Sequence, residues 1–300
     1  GTSGKVLPSK SQRSTKARET KLQTSDFNDI SYQLDNNGIV TVSLDTPKRK
    51  NALSGLTALE LRWAAKHFQA DDGAHAMILT GSPDPGAEPE RQAFSSGGYF
   101  VPGIYDDLPE TVREQIDMTD IAMKATVLEF FNCDKPVLAA VNGLAIGGGI
   151  TLPLAVADQV YLSEHAWARL PFASLGISAE LGSTFMLPRL LGMQKAKELF
   201  FYPEKLDAQA LLELGLANAI LPHDELLPYT MDKALQLVPP RGAGASIRAM
   251  KRIVHAQKVE ELTRALDLEN EVLNELMASE DFAEGLMARI EKRDPVFKGR

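Results

Sequence analysis

The chain has 300 residues, 44% of them hydrophobic, and a formal net charge of −8. That length supports one large or two modest domains with a real core, and the acidic balance argues against a general nucleic-acid surface. One cysteine, Cys133, excludes an intrachain disulfide and fits a reducing, intracellular setting; no apolar run reaches membrane-spanning length, and the five scattered histidines show no metal-ligand spacing.

Residues 1–24 carry six Lys/Arg, one Glu and no aromatic side chain. Such a segment buries little apolar area, so residues 1–25 read as a disordered basic tail: a tag, a tail or a targeting remnant. "GIVTVSLD" alternates, with Val40, Val42 and Leu44 on one face, and reads as a strand. "TPKRKNALS" is a loop and "LTALELRWAAKHFQ" a helix. "AMILTG" is a buried strand, followed by a loop over 82–92 dense in Pro and Gly. "TVREQIDMTDIAMKATVLEFF" reads as one helix over 111–131, with Val112, Ile116, Met123, Val127 and Phe130 on its apolar face. Cys133, beside "FFN", reads as a packed small hydrophobe. "VLAAV" is a strand, "GGGITLPLAVA" opens a helix and "QVYLS" is a strand. This βαβαβ order favours an α/β fold with crossover connections. After Pro222 every pattern is helical, which divides the chain into a mixed core over 26–222 and a helical region over 223–300.

The run "NGLAIGGGIT" follows the strand "VLAAV" directly. A strand entering a glycine turn and then a helix presents unpaired N–H groups at the helix start. That suits an anion, or a carbonyl oxygen that becomes one; tight strand–helix packing explains the glycines equally well. A second glycine loop, "AFSSGGYF" at 93–100, also follows a strand. Two such loops can aim two N–H groups at one oxygen.

Six stretches, "PKRKNALS", "AFSSGGYF", "KPVLAAVNGLAIGGGITLPLAVADQVYLSE", "LGISAELGSTFMLPRLLG", "LDAQALLELGLANAILP" and "EKRDPVFKG", resemble in order and spacing the motifs of the crotonase (enoyl-CoA hydratase/isomerase) superfamily. The resemblance covers roughly residues 27–300. It implies a spiral of ββα turns, a C-terminal helical trimerisation region, and a homotrimer or dimer of trimers. It implies an acyl-CoA substrate, with coenzyme A entering as part of the substrate and no separate cofactor, and no nucleic-acid or membrane partner. The compartment would be the cytoplasm in a bacterium, or mitochondria or peroxisomes in a eukaryote.

Carried over by motif, the amides of Gly98 and Gly148 would form an oxyanion hole. The resemblance also assigns the loop Lys50, Asn51, Ala52 and Leu53 to adenine, with Lys48, Arg49 and Lys50 near the phosphates. Phe297 and Lys298 would reach CoA, sometimes from a neighbouring subunit. Tyr99, Phe100, Thr151 and Phe172 would shape the acyl pocket. The two glutamates typical of the hydratases would fall at Thr151 and Phe172, and neither is a carboxylate. On residues alone Glu180, in "SAELGS", reads either as a solvated loop carboxylate or as a base. Its position resembles the single catalytic glutamate of the peroxisomal-type delta-3, delta-2-enoyl-CoA isomerases. Alternatives on the same fold are a thioester hydrolase or dehalogenase using Glu180, or a catalytically silent acyl-CoA-binding protein.

Overall fold

After an opening pair of strands and a helix, three successive turns of the chain each lay one strand into a large sheet, one into a small sheet, and then a helix. The computed structural model describes residues 21–99, 101 and 103–300. The large sheet holds β1 (Ile30–Leu34), β2 (Ile39–Leu44), β3 (Ala76–Gly81), β5 (Val137–Val141), β7 (Gln159–Ser163) and β10 (Ala219–Leu221), in that spatial order. Only the β1–β2 pair is antiparallel; the others run parallel. The small sheet holds β4 (Ala93–Ser95), β6 (Leu144–Ile146), β8 (Trp167–Arg169) and β9 (Leu206–Asp207). Between these strands run α1 (Gly55–Ala70), α2 (Glu110–Arg113), α3 (Lys124–Asn132), α4 (Gly148–Val156), α5 (Ser183–Leu191), α6 (Met193–Phe201) and α7 (Ala208–Glu213). This is the ββα spiral that the sequence implies.

Every residue of β3 and β5 is buried, as expected of parallel strands covered on both faces. The strand period of two divides their side chains between two cores. Val42, Met77, Leu79, Val137 and Ala139 enter the main core, while Ile39, Ile78, Leu138 and Ala140 enter a second one. Helix α8 (His223–Leu237) covers that second face with Leu226 and Ala234. Helix α10 (Val259–Leu276) sends Leu262, Leu266 and Leu273 into the main core. The change of composition at Pro222 therefore does not separate two cores. Helices α9 (Gly244–Ala256) and α11 (Glu280–Glu291) complete the chain.

Two expectations need correction. Part of the tail is packed: Leu22 is buried against Leu59 and Trp63, and its carbonyl meets the His67 ring. Residues 1–20 lie outside the described residues. The helix expected over 111–131 is broken between α2 and α3. The Asp117 carboxylate accepts from the amide and hydroxyl of Thr119, and Asp120 accepts from the amides of Lys124 and Ala125. Met123 then turns the chain at φ 51°. Short acidic side chains that bond nearby amides compete with the helix ladder; here Asp117 holds a turn between the helices and Asp120 caps α3. Among the described residues, no helix is long and apolar enough to cross a membrane.

Candidate active site

The break between α2 and α3 creates one wall of a cavity of about 210 Å³. Ile116, Met118, Ile121 and Met123 line it from that segment, and Ala58, Leu59 and Arg62 line it from α1. Leu53, Glu180 and Leu181, all buried, and the exposed Gly98 complete its lining.

Gly98 is held there by a short parallel bridge. The Leu53 amide donates to the Gly97 carbonyl, and the Tyr99 amide donates to the Leu53 carbonyl, each at 2.8 Å. Those bonds use the residues on either side of Gly98, so its own N–H faces away from Leu53. Gly97 must be glycine for two reasons: φ is +85°, and a Cβ would stand 2.3 Å from the Ile146 carbonyl oxygen. That close approach seats the 95–99 loop on the turn that begins α4. The same hypothetical Cβ lies 3.6 Å from the Gly148 nitrogen, so the two glycine loops are in contact.

Gly148 is the first residue of α4, where N–H groups have no partner within the helix. A Cβ on Gly148 would stand 3.0 Å from Glu180 Oε1. Glu180 itself is buried, 9% exposed. It lies in a tight turn in which the Ser183 amide donates to the Glu180 carbonyl at 2.9 Å. Leu181 and Gly182 between them have φ of 54° and 73°, the positive pair of a primed turn. A leucine in that conformation costs about 1–2 kcal/mol. Burial pushes the Glu180 carboxyl up to about 8, the charge of Glu269 adds to the rise, and the nearby Gly148 N–H opposes it. The cavity has two other carboxylates, and both are engaged by the bonds that break the helix; Asp120 also accepts from Asn270 Nδ2.

Other candidates stand elsewhere. The Thr151 side chain is buried and its hydroxyl donates to the Gly147 carbonyl at 3.3 Å. Phe172 is buried beside Gly147. Neither lines the cavity, and nor does Tyr99, whose ring lies under the Arg49 guanidinium at 4.8 Å. Phe100 lies outside the described residues.

The loop assigned to adenine is held from below. Asn51 is 1% exposed; its side chain accepts from the Thr46 amide and donates to the Ser82 and Ala93 carbonyls. It therefore ties three backbone segments together, and the Asn51 side chain is fully engaged in holding the loop. Arg49 is drawn inward to Asp29 at 2.5 Å, the carboxylate that also accepts from Ser54 and Thr57. That pairing engages the Arg49 guanidinium within the chain itself. Lys48 and Lys50 are exposed, and Ala52 and Leu53 are buried. At the chain end, Lys298 pairs with Glu280 at 3.0 Å, and its amide bonds Asp281. Phe297 and Lys298 thus lie along α11 and do not line the cavity of their own chain. Cys133 is buried and its thiol is pushed up by burial, which suits packing rather than nucleophilic attack.

Sequence reasoning missed three buried acids. Asp29 is the node just described. Glu60 is fully buried and accepts from the amides of Asn28, Asp29 and Ile30, yet burial still lifts it to about 7. Glu269 is buried on α10. A signal for the last existed: it shares a helical stripe with Leu262, Leu266 and Leu273.

Residues 35–300 match the family described as enoyl-CoA hydratase/isomerase. The chain is 34% identical over 276 residues to a probable enoyl-CoA hydratase of Rhodobacter capsulatus, covering 91% of this chain and 99% of that protein. It is also 34% identical over 273 residues to the carnitinyl-CoA dehydratase of Escherichia coli, covering 88% and 97%. Among solved structures, an enoyl-CoA hydratase/isomerase from Pseudoalteromonas atlantica is similar with a TM-score of 0.75 at 28% identity, covering 90% of this chain and 100% of that one.

Proposed function

Because the chain belongs to the enoyl-CoA hydratase/isomerase (crotonase) family, we propose that this acyl-CoA enzyme converts a 3-enoyl-CoA into the 2-enoyl-CoA with Glu180 as its single base. The ionised Glu180 takes a proton from C2. The electron pair moves toward the thioester oxygen, giving a dienolate. The N–H groups of Gly98 and Gly148 receive that oxyanion, and donors fixed in advance stabilise it without reorganising. The same carboxyl returns the proton to C4 and the double bond comes to lie between C2 and C3.

The observation that carries this reading is the buried Glu180 carboxylate in the lining of the cavity, against Gly148 and sharing that lining with Gly98. A carboxyl near 8 suits a group that must both take and return a proton close to neutral pH. Hydration is the second reading, favoured by the names of the relatives. It needs a second group to position water. Thr151 is engaged with Gly147, Phe172 has no polar side-chain atom, and neither lines the cavity.

Absorbance of the conjugated thioester tests the reading with 3-enoyl-CoA substrates of several lengths. Only the ionised carboxylate accepts a proton, so kcat/KM should rise with pH and reach half its maximum near 8. Accumulation of 3-hydroxyacyl-CoA without conjugated product would favour hydration. Release of free CoA or halide would favour a hydrolase or dehalogenase, and tight CoA binding with no turnover a silent homologue.

A trimer or hexamer belongs to the same reading. Met250, Ile253 and Val254 of α9 and Leu268 of α10 are exposed and apolar, which supports burial between copies. In such an assembly Phe297 and Lys298 would meet the CoA of a neighbour. Light scattering that gave a monomer at assay concentrations would remove this part.

A further inference from the structure

We propose that Glu269, on the C-terminal helix α10, is the positioning residue for the base: it caps α5 from outside and thereby holds the turn that carries Glu180 against Gly148. The inference rests on the reading of Glu180 as the base.

Helix α5 begins at Ser183, and its N-cap is Gly182, which has no side chain to cap with. The first N–H groups of a helix need acceptors. Glu269 supplies them from a distant part of the chain. One oxygen accepts from the Gly182 amide at 2.7 Å, and the other from the Thr184 amide and hydroxyl at 3.0 and 2.6 Å. These bonds grip the chain two and four residues after Glu180, across a turn with two positive φ values. Glu269 occupies a place in the buried stripe Leu262, Leu266, Leu273, where packing alone would favour another apolar residue, and it is only 3% exposed. A carboxylate is costly in such a place unless hydrogen-bonded.

The two acids also interact through their charges. Each is pushed up by burial, and the Glu269 charge further disfavours ionisation of Glu180. Other charged groups around them are Arg62 of α1 and the cavity acids Asp117 and Asp120. On the packed helices, Arg189 of α5 pairs with Glu261, and Lys124 of α3 pairs with Asp267.

Two variants test the role. Glu269→Gln keeps an acceptor and removes the charge. The acidic limb of its kcat/KM profile should move to lower pH by roughly one unit, and kcat should fall less than in Glu269→Ala, because one of the two accepting oxygens is kept. Glu269→Ala removes the cap; kcat should fall roughly 10–100-fold with KM within a few-fold, the mark of a misplaced reacting group. Two readouts in the ligand-free protein do not depend on the reaction: the carboxyl carbon NMR titration of Glu180, assigned by its loss in Glu180→Gln, and the Gly148 amide signal. In Glu269→Gln the titration should move down; in Glu269→Ala the amide signal should move. If both stay at their wild-type positions in folded variants, the proposal is overturned. Were both to move while wild type turns over no 3-enoyl-CoA, the positioning role would stand and the reaction assignment alone would fall.

Discussion

Replacing Glu180 by Gln should lower 3-enoyl-CoA isomerisation by roughly 10²–10⁴-fold, the usual loss for a general base, while leaving CoA affinity near wild type. Gln matches Glu in size, so the turn and the contact with Gly148 remain. The amide does not accept a proton, and with Thr151 and Phe172 off the cavity wall no nearby group replaces it. The variant has a second readout. An acid raised from its ordinary value to about 8 in the folded chain stabilises the fold relative to its ionised form at low pH, and that contribution is lost as pH rises toward 8. Denaturation midpoints should therefore favour Glu180→Gln over wild type increasingly from about pH 5 to about pH 8 and level off above that. Wild-type turnover in the variant would exclude Glu180 as the base.

Replacing Gly97 by Ala should damage activity and stability together. The added methyl would meet the Ile146 carbonyl oxygen at 2.3 Å, and the residue would have to keep φ at +85°. Backbone, not a flexible side-chain end, blocks the way, so the 95–99 loop must move off the turn before α4. Overpacking with positive-φ strain is expected to cost about 2–4 kcal/mol in urea unfolding. Separation of the Gly98 and Gly148 amides should lower kcat/KM by roughly 10²–10³-fold, as for loss of an oxyanion donor. Gly192→Ala is the control. It has φ +80° but open space around its Cβ, so only the stability should fall. A Gly97→Ala protein with wild-type midpoint and rate would refute the assigned contact.

Strands β2, β3, β5 and β7 were legible because they depend on local pattern, whereas β1 and the short strands β4, β6, β8, β9 and β10 were not read, most of them being only two or three residues long. The buried β3 and β5 read as short apolar runs, and Val40, Val42 and Leu44 declared one face of β2. The helix over 111–131 was misread because Ile116 and Met123 keep helical spacing although they line a cavity. Apolar periodicity does not separate a core from a pocket. Arg49 and Asn51 were assigned to CoA because their motif belongs to a ligand loop. What binds them inward is distant in sequence: Asp29 for Arg49, and the Ser82 and Ala93 carbonyls for Asn51. Glu269 was passed over because one acid among several on an amphipathic helix reads as solvated surface. Its partners, Gly182 and Thr184, lie 87 and 85 positions away.

That separation in sequence sets an order of events during synthesis. Glu180 leaves the ribosome 89 positions ahead of Glu269, a delay of about 4–18 s at 5–20 residues per second. Until α10 docks, the amides at the start of α5 lack the acceptor that Glu269 gives them, although both glycine loops and their strands have already emerged. A nascent chain stalled before Val259 can thus have the spiral of strands but lacks the clasp on the Glu180 turn. A helix made after the whole spiral of strands is the one that completes the site, so a chain that lacks α10 carries an unfinished centre.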